Sequence, residues 1–210
     1  KFTIEKNVIL DALNNVTRAL SQKITIPVLN GIKFELTKEG LYLMASDSEL
    51  TIKVFIPEKE IKKVDKTGVV IIQSKYIIDI IRKMPANEID FEVIDELKIK
   101  ISTSSNEYML NCYNFEDYPN IILESSKEFI SINSNILKEI INQTSYAMST
   151  QEVRPLLTGI NFKVNGDILE CIATDSYRLA KKILNLTSFK DANINVVIPG
   201  RSVIEIEKIL

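Results

Sequence analysis

The sequence predicts an α+β fold, made of two tandem copies of one domain in which a β-α-β-β-β unit is itself doubled. A long-period repeat is the first observation behind this. Pro27-Val28-Leu29-Asn30-Gly31-Ile32-Lys33-Phe34 returns as Pro155-Leu156-Leu157-Thr158-Gly159-Ile160-Asn161-Phe162, an offset of 128 (27 to 155). At the same offset Ala45-Ser46-Asp47-Ser48 returns as Ala173-Thr174-Asp175-Ser176, and Ile4, Asn7 and Val8 return as Ile132, Asn135 and Ile136. After a slip of two residues, Val70 to Lys75 returns as Val196 to Arg201. Blocks recurring in the same order mark a duplication. The second observation is that the hydrophobic period switches between 2 and 3.6 in the same order twice within the first copy.

Taken in order, Phe2 to Glu5 alternates as a strand. Asn7 offers an N-cap to a helix that buries Val8, Ile9, Ala12, Leu13, Val16 and Leu20 and exposes Asp11, Asn14, Asn15 and Arg18. A loop carrying Lys23 ends at Pro27. Strands follow at Gly31 to Leu36, Leu41 to Ala45 and Leu50 to Ile56, punctuated by Lys38-Glu39-Gly40 and Pro57. The order then repeats. Val69 to Ile72 is a strand, and Ser74 caps a helix with Ile77, Ile80, Ile81 and Met84 inward until Pro85 stops it. Glu88 to Ile94, Leu97 to Thr103 and Glu107 to Tyr113 are three more strands. Domain one is thus 1–118, and 119–127 is a linker. Domain two is 128–210, with Ile136, Leu137, Ile140, Ile141 and Thr144 inward on its first helix and Val203, Ile206 and Leu210 inward on its last. It lacks a counterpart of Pro85 to Tyr113, so the second copy is expected to be incomplete, with an unpaired sheet edge.

Composition narrows the chemistry. At 45% hydrophobic and 26% charged residues the chain is globular, and each copy is long enough for its own core. A net charge of −2 advertises no bulk attraction to nucleic acid. No apolar run approaches a membrane span of about 18 residues, and no signal peptide opens the chain. It starts at Lys1 rather than Met, so the numbered start need not be the genetic one. There is no histidine, and Cys112 and Cys171 lie singly in apolar segments, which reads as two buried thiols in a reducing compartment. No metal site and no cofactor are expected, and the usual general base is missing.

These repeats, with Ala173-Thr174-Asp175-Ser176-Tyr177-Arg178-Leu179-Ala180, Asp117-Tyr118-Pro119-Asn120 and Met148 to Arg154, resemble the bacterial sliding clamp family, the β subunit of DNA polymerase III. The likeness runs the length of the chain. It implies a DNA clamp fold, with helices on the inner face and sheets outside, in a subunit of three domains. Two subunits of that family close head to tail around duplex DNA. By that measure this chain holds domain one and most of domain two, and the third domain is absent. The family is a non-catalytic processivity factor, catalogued with DNA-directed DNA polymerase. It acts in the cytoplasm and tethers the polymerase III catalytic subunit, the clamp loader and other proteins bearing a clamp-binding motif. Full-length chains are expected to be homodimers, with Tyr108 and Leu110 on the dimer edge.

Two sites follow. On the helix faces Arg18, Lys75, Arg82, Lys83, Lys138, Arg201 and Lys208 outnumber Asp11, Asp79, Glu139 and Glu205 by seven to four, a modest segregation suited to diffuse phosphate attraction. The resemblance adds Lys23, Gln151 and Arg201 as DNA contacts. The second site lies where the copies differ. Ile26 becomes Arg154, and Asp47-Ser48-Glu49-Leu50 becomes Asp175-Ser176-Tyr177-Arg178-Leu179, read here as one residue longer. The shared Asp47 and Asp175 are read as turn formers. In the family this region is the pocket for a short partner peptide, and by position its lining is Arg154, Leu157, Thr174, Tyr177, Arg178 and Leu179. The family often has Gly-His where this chain has Ser176-Tyr177, so the rim differs in shape.

Two other classes compete. A hydrolase would use Ser176 with Lys181 or Lys182, although nothing in the sequence aligns a partner or an oxyanion site. A purely structural tandem-repeat scaffold would need no site at all.

Overall fold

A computed structural model spans Lys1–Leu210 and describes residues 1–21, 26–123, 130–186 and 193–210. The chain divides into two compact units, Lys1–Ile122 and Leu123–Leu210.

Unit 1 contains β1 (Phe2–Glu5), α1 (Lys6–Val16), β2 (Gly31–Leu36), β3 (Gly40–Ser46), β4 (Thr51–Pro57) and β5 (Ile61–Val64). It continues through β6 (Gly68–Gln73), α2 (Ser74–Lys83), β7 (Glu88–Asp95), β8 (Lys98–Ser102) and β9 (Glu107–Tyr113). Its strands run in the order β4-β3-β2-β6-β9-β8-β7-β1-β5. The first strand of each half crosses into the sheet of the other half. β1 pairs with β7 from Phe2↔Phe91 to Glu5↔Glu88, and β6 pairs with β2 from Gly31↔Gln73 to Leu36↔Gly68. This reciprocal exchange locks the two halves together through backbone hydrogen bonds as well as through the core.

That core follows the alternation of the strands. Ile32, Phe34 and Leu36 point inward from β2, and Ile89 and Phe91 from β7. Phe91 stacks on Phe2 with ring centroids 4.8 Å apart and tilts against Phe34 at 5.9 Å. α1 contributes Ile9, Ala12, Leu13 and Val16, and α2 contributes Ile77 and Ile81, followed by Met84. Tyr118 packs with Val28, Leu29, Met44 and Ile71 in a second cluster that Ile121 joins, so the segment after β9 stays on unit 1.

Several local expectations are corrected. Neither Asn7 nor Ser74 is a cap. α1 starts at Lys6, whose N–H donates to Asn87 O at 2.8 Å. The Lys6 ammonium donates to the carbonyls of Arg82 (2.9 Å) and Met84 (2.7 Å), closing the C-terminal end of α2. Ser74 Oγ donates to Asn30 O at 2.6 Å, a tie to the segment before β2. Ile80 is half-buried. β5 was missed because only Ile61 of its four residues is buried, which leaves almost no alternation to read.

Unit 2 contains α3 (Ser134–Thr144), β10 (Gly159–Asn165), β11 (Ile168–Thr174), β12 (Leu179–Asn185), β13 (Asn193–Pro199) and α4 (Gly200–Ile209). The sheet order β12-β11-β10-β13 reproduces β4-β3-β2-β6. Residues 130–133, the counterpart of β1, form no strand. In unit 1 that strand is held between β7 and β5, and unit 2 offers no such partners among the described residues. The edge of β13 away from β10 is likewise unpaired there, the position at which β9 meets β6 in unit 1. For the same reason Ile136, Ile206 and Leu210, expected inward, are exposed, while Ile140, Ile141 and Val203 fill a core with Phe162, Val164, Leu169 and Cys171. Burial pushes both cysteine thiols up to about 12, so they stay protonated and inert.

The repeated glycine, Gly31 and Gly159, opens β2 and β10 with ordinary extended backbone, so space rather than φ demands it. A Cβ on Gly159 would lie 2.4 Å from Ile198 O, a backbone atom held in the β10–β13 ladder. On Gly31 it would lie 2.5 Å from Cγ2 of the fully buried Ile71, 2.9 Å from the Tyr113 ring and 3.1 Å from Val28 O, so that site is closed as well. Gly159→Ala and Gly31→Ala are therefore each expected to destabilise their own unit by about 1–3 kcal/mol. Urea denaturation followed through the amide resonances of each unit measures the two separately.

Candidate partner-binding and nucleic-acid sites

The two copies make the same turn after their third strand. Asp47-Ser48-Glu49-Leu50 joins β3 to β4, and Asp175-Ser176-Tyr177-Arg178 joins β11 to β12, each four residues long. The extra residue expected in copy two does not exist. Pairing of Ser46 with Thr51 and of Thr174 with Leu179 sets Arg178 opposite Leu50 in the repeat, and Leu179 opposite Thr51. Matching leucine to leucine by type had displaced the register by one.

The turn is fixed by its aspartate. Asp47 Oδ1 accepts from the N–H groups of Glu49 (3.2 Å) and Leu50 (2.9 Å), and Asp175 Oδ1 accepts from those of Tyr177 and Arg178, both at 3.0 Å. A hydroxyl at the strand end, Ser46 or Thr174, accepts from the N–H two residues on at 3.2 Å in each copy. The residue after the aspartate is left-handed, with φ 82° at Ser48 and 77° at Ser176. The backbone is therefore common scaffold, and the copies differ in what it displays.

In copy two Arg178 folds back, its Nε donating to Asp175 Oδ2 at 2.9 Å and its guanidinium lying 5.8 Å from the Tyr146 ring centroid. Its side chain is still 58% exposed. Leu50, its counterpart, packs against the unit 1 core instead. Arg154, just before the turn Pro155–Thr158, reaches across to place Nη1 3.3 Å from Ser176 Oγ. Tyr177 is 98% exposed and Leu179 62% exposed, while Leu157 is half-buried. Thr174 does not offer its hydroxyl proton outward, because Oγ1 donates to Arg178 O at 2.7 Å. The structure thus brings Arg154, Thr174, Tyr177, Arg178 and Leu179 onto one turn and its neighbour, with Leu157 three residues beyond Arg154. Exposed Val153 went unnoticed in the sequence because it has no distinguishing pattern. Leu156 is exposed too, although its counterpart Val28 is buried under Tyr118; no such cover lies over Leu156 among the described residues.

The basic residues are more scattered. Lys75 and Arg82 are exposed on α2, Arg82 paired with Asp79 at 3.6 Å and Lys75 lying 5.0 Å from the Tyr76 ring centroid. Lys138 is exposed on α3, and Lys208 of α4 pairs with Glu205 at 2.7 Å. Glu139 pairs with Lys182 of β12 at 2.9 Å and accepts from Gln143 Nε2, one turn on along α3, at 3.0 Å. Lys75, Lys83 and Lys138 have no carboxylate partner among the described residues. Arg18 is half-buried after α1, and Gln151 is exposed after α3. Lys23 lies outside the described residues. Arg201, at the start of α4, shares a cleft of about 540 Å³ with Arg178, Tyr146, Ser149, Thr150 and Thr158.

Tyr108 and Leu110 lie on β9, which is interior to the strand order. β8 covers it from Glu107 to Asn111, and β6 meets it only at Cys112 and Tyr113, so among the described residues Glu107–Asn111, with Tyr108 and Leu110, has one open side. Leu110 is itself buried in the core. The hydrolase pair is not assembled. Lys181 is held by Glu170 at 2.8 Å and Lys182 by Glu139, while Ser176 Oγ faces Arg154. Among the described residues no cluster of His, Cys, Asp or Glu could hold a metal ion.

The two-unit α+β architecture, with its duplicated turn and displayed cationic and apolar residues, matches one known class. Residues 1–122 match the family model for the DNA polymerase III beta subunit, N-terminal domain, and residues 131–210 match that for its central domain. The chain belongs to the DNA polymerase III beta subunit family. It is 37% identical over 214 residues to the beta sliding clamp of Bacillus subtilis and 38% identical over 215 residues to that of Halalkalibacterium halodurans. In both, the whole chain aligns with 57% of the relative, so it spans little more than half their length. Of solved structures, the Bacillus subtilis DNA polymerase sliding clamp superposes with a TM-score of 0.94 at 37% identity, over the whole chain and 56% of the other. The beta chain from Streptococcus pneumoniae also gives 0.94, at 34% identity and the same coverage.

The turn has a measurable electrostatic signature. The N–H groups of Tyr177 and Arg178, and then the Arg178 guanidinium, hold the Asp175 carboxyl below its ordinary value of 3.8. A depressed value means that its stabilisation is complete above that ordinary value and is lost as pH falls through the lower, folded one. An NMR titration of the Asp175 carboxyl is expected to show a midpoint below 3.8, with the amides of Tyr177 and Arg178 shifting at the same pH.

Proposed function

We propose that this protein acts as a DNA sliding clamp, a processivity factor that encircles duplex DNA as a head-to-tail homodimer of longer chains. It tethers the polymerase III catalytic subunit, the clamp loader and other proteins bearing a short binding motif. The observation that carries this reading is the asymmetry between two copies of one turn. The backbone is the same in both, yet copy one shows Ser48, Glu49 and a half-buried Leu50, while copy two shows Tyr177, Arg178 and Leu179 beside Arg154. An exposed aromatic and leucine flanked by two arginines suit a peptide of Gln-x-aliphatic-x-aromatic type, with apolar anchors inserted and polar groups held at the rim.

The helix-face cations support the second half of the reading. Pairing with Asp79 and Glu205 leaves few free charges, spread over separate helices. Such diffuse attraction holds phosphates without reading bases, which permits sliding. The open half of β9, with Tyr108, is the part of unit 1 best suited to strand pairing at a subunit interface. No helix among the described residues is long and apolar enough to cross a membrane.

The test is titration of the full-length protein with a motif peptide. Wild type is expected to bind in roughly the micromolar range, and Leu179→Asp to weaken binding by about 1–3 kcal/mol while leaving retention on circular duplex DNA unchanged. Equal peptide affinity in the two proteins would refute the pocket assignment.

A further inference from the structure

Ser176 is a costly choice for its position. Its φ of 77° lies in the left-handed region, where a Cβ is disfavoured and glycine is at ease. The turn itself does not require a serine hydroxyl there. Its aspartate, the hydroxyl of Thr174 and the Asp175 N–H to Arg178 O bond make the turn without the Ser176 hydroxyl, and Ser48 occupies the same left-handed site in copy one, in a turn made by the same kinds of bond. What differs is the neighbour. Copy one has Ile26 where copy two has Arg154, and only in copy two does the hydroxyl meet a guanidinium, at 3.3 Å.

We propose that Ser176 is a positioning residue that fixes Arg154 at the rim of the peptide site, and that its side chain is kept for binding at the expense of stability. The inference rests on the peptide-docking reading above. Arg154 has several rotatable bonds, and an exposed arginine samples many orientations. A hydroxyl held on a rigid turn selects the one that lies against the turn, beside Tyr177, so less freedom is lost when a peptide carbonyl or amide oxygen takes the remaining guanidinium donors. Arg178 is restrained by a different device, the Asp175 carboxylate. The two arginines are thus oriented independently, one by a hydroxyl and one by a carboxylate.

The proposal predicts opposite signs for stability and binding. In the full-length protein Ser176→Gly should raise the unfolding midpoint by roughly 2 °C or more, by relieving the left-handed strain. It should also weaken a fluorescein-labelled Gln-Ala-Leu-Ala-Phe peptide about three- to tenfold, the net loss of one hydrogen bond. Ser48→Gly is the internal control and should stabilise equally while leaving peptide affinity unchanged. Arg154→Ala should weaken the peptide at least as much, and adding Ser176→Gly to it should weaken it no further. Unaltered affinity in Ser176→Gly, while Leu179→Asp weakens binding as expected above, overturns the positioning role and leaves the docking site standing. A fall in both stability and affinity overturns it too, since a structural role moves them together. If Leu179→Asp binds as wild type, the docking site itself is refuted and the proposal falls with it.

Discussion

A β-strand keeps its backbone groups satisfied only where a neighbour lies alongside, and unit 1 meets that demand by exchange. β1 pairs in the sheet of the second half through β7, and β6 in the sheet of the first half through β2. The strands β2-β3-β4 and β7-β8-β9 each pair among themselves and each set is extended by the first strand of the other half, so the halves are coupled by hydrogen bonds that span the unit. Much else follows from this. α1 enters directly from β1 and α2 directly from β6, so both helices are delivered to the same apolar core of Phe34, Phe91 and Leu13. Lys6 then closes α2 from the start of α1. In unit 2, β13 makes the same crossing to β10, whereas residues 130–133 find no sheet and form no strand.

With the backbone fixed in this way, the turn after the third strand is free to vary what it shows. Both turns spend their aspartate and a strand-end hydroxyl on the same set of N–H groups. The side chains that face outward are left to diverge, and in copy two they have become an arginine, an aromatic and a leucine beside a second arginine. That division between a conserved hydrogen-bond frame and a variable display is why a single duplicated fold can hold a docking site in one copy and a plain turn in the other. The shared cleft of Arg178 and Arg201 adds that the turn and the start of α4 present their cations on a common opening.

Most of the architecture was legible because its signals are local. Alternation in β2 and β9 and the apolar stripes of α1 and α2 have periods that the sequence states outright. The repeat then supplied the correspondence between units. What failed was set by partners distant in sequence. β5 has one buried residue and owes its existence to β1. Ser74 was drawn from capping to Asn30 O, 44 residues away. Val28 and Leu156 occupy equivalent positions with opposite burial, since only Val28 lies under Tyr118. Tyr108, expected at an edge, lies in the part of β9 that only β8 covers, because β6 meets β9 for two residues and then turns into α2. The site residues were found through the difference between copies, but their register was not, because leucine was matched to leucine where the ladder matches Leu50 to arginine.

The central claim is that one turn of two has become a recognition surface while the frame beneath it stayed the same. Amide chemical-shift mapping of the isotope-labelled full-length protein, titrated with a motif peptide, tests this most directly. Perturbations are predicted at Arg154, Ser176, Tyr177, Arg178 and Leu179, with none at the equivalent Ile26, Ser48, Glu49, Leu50 and Thr51. Comparable shifts in both turns, or shifts confined to the first, would contradict it.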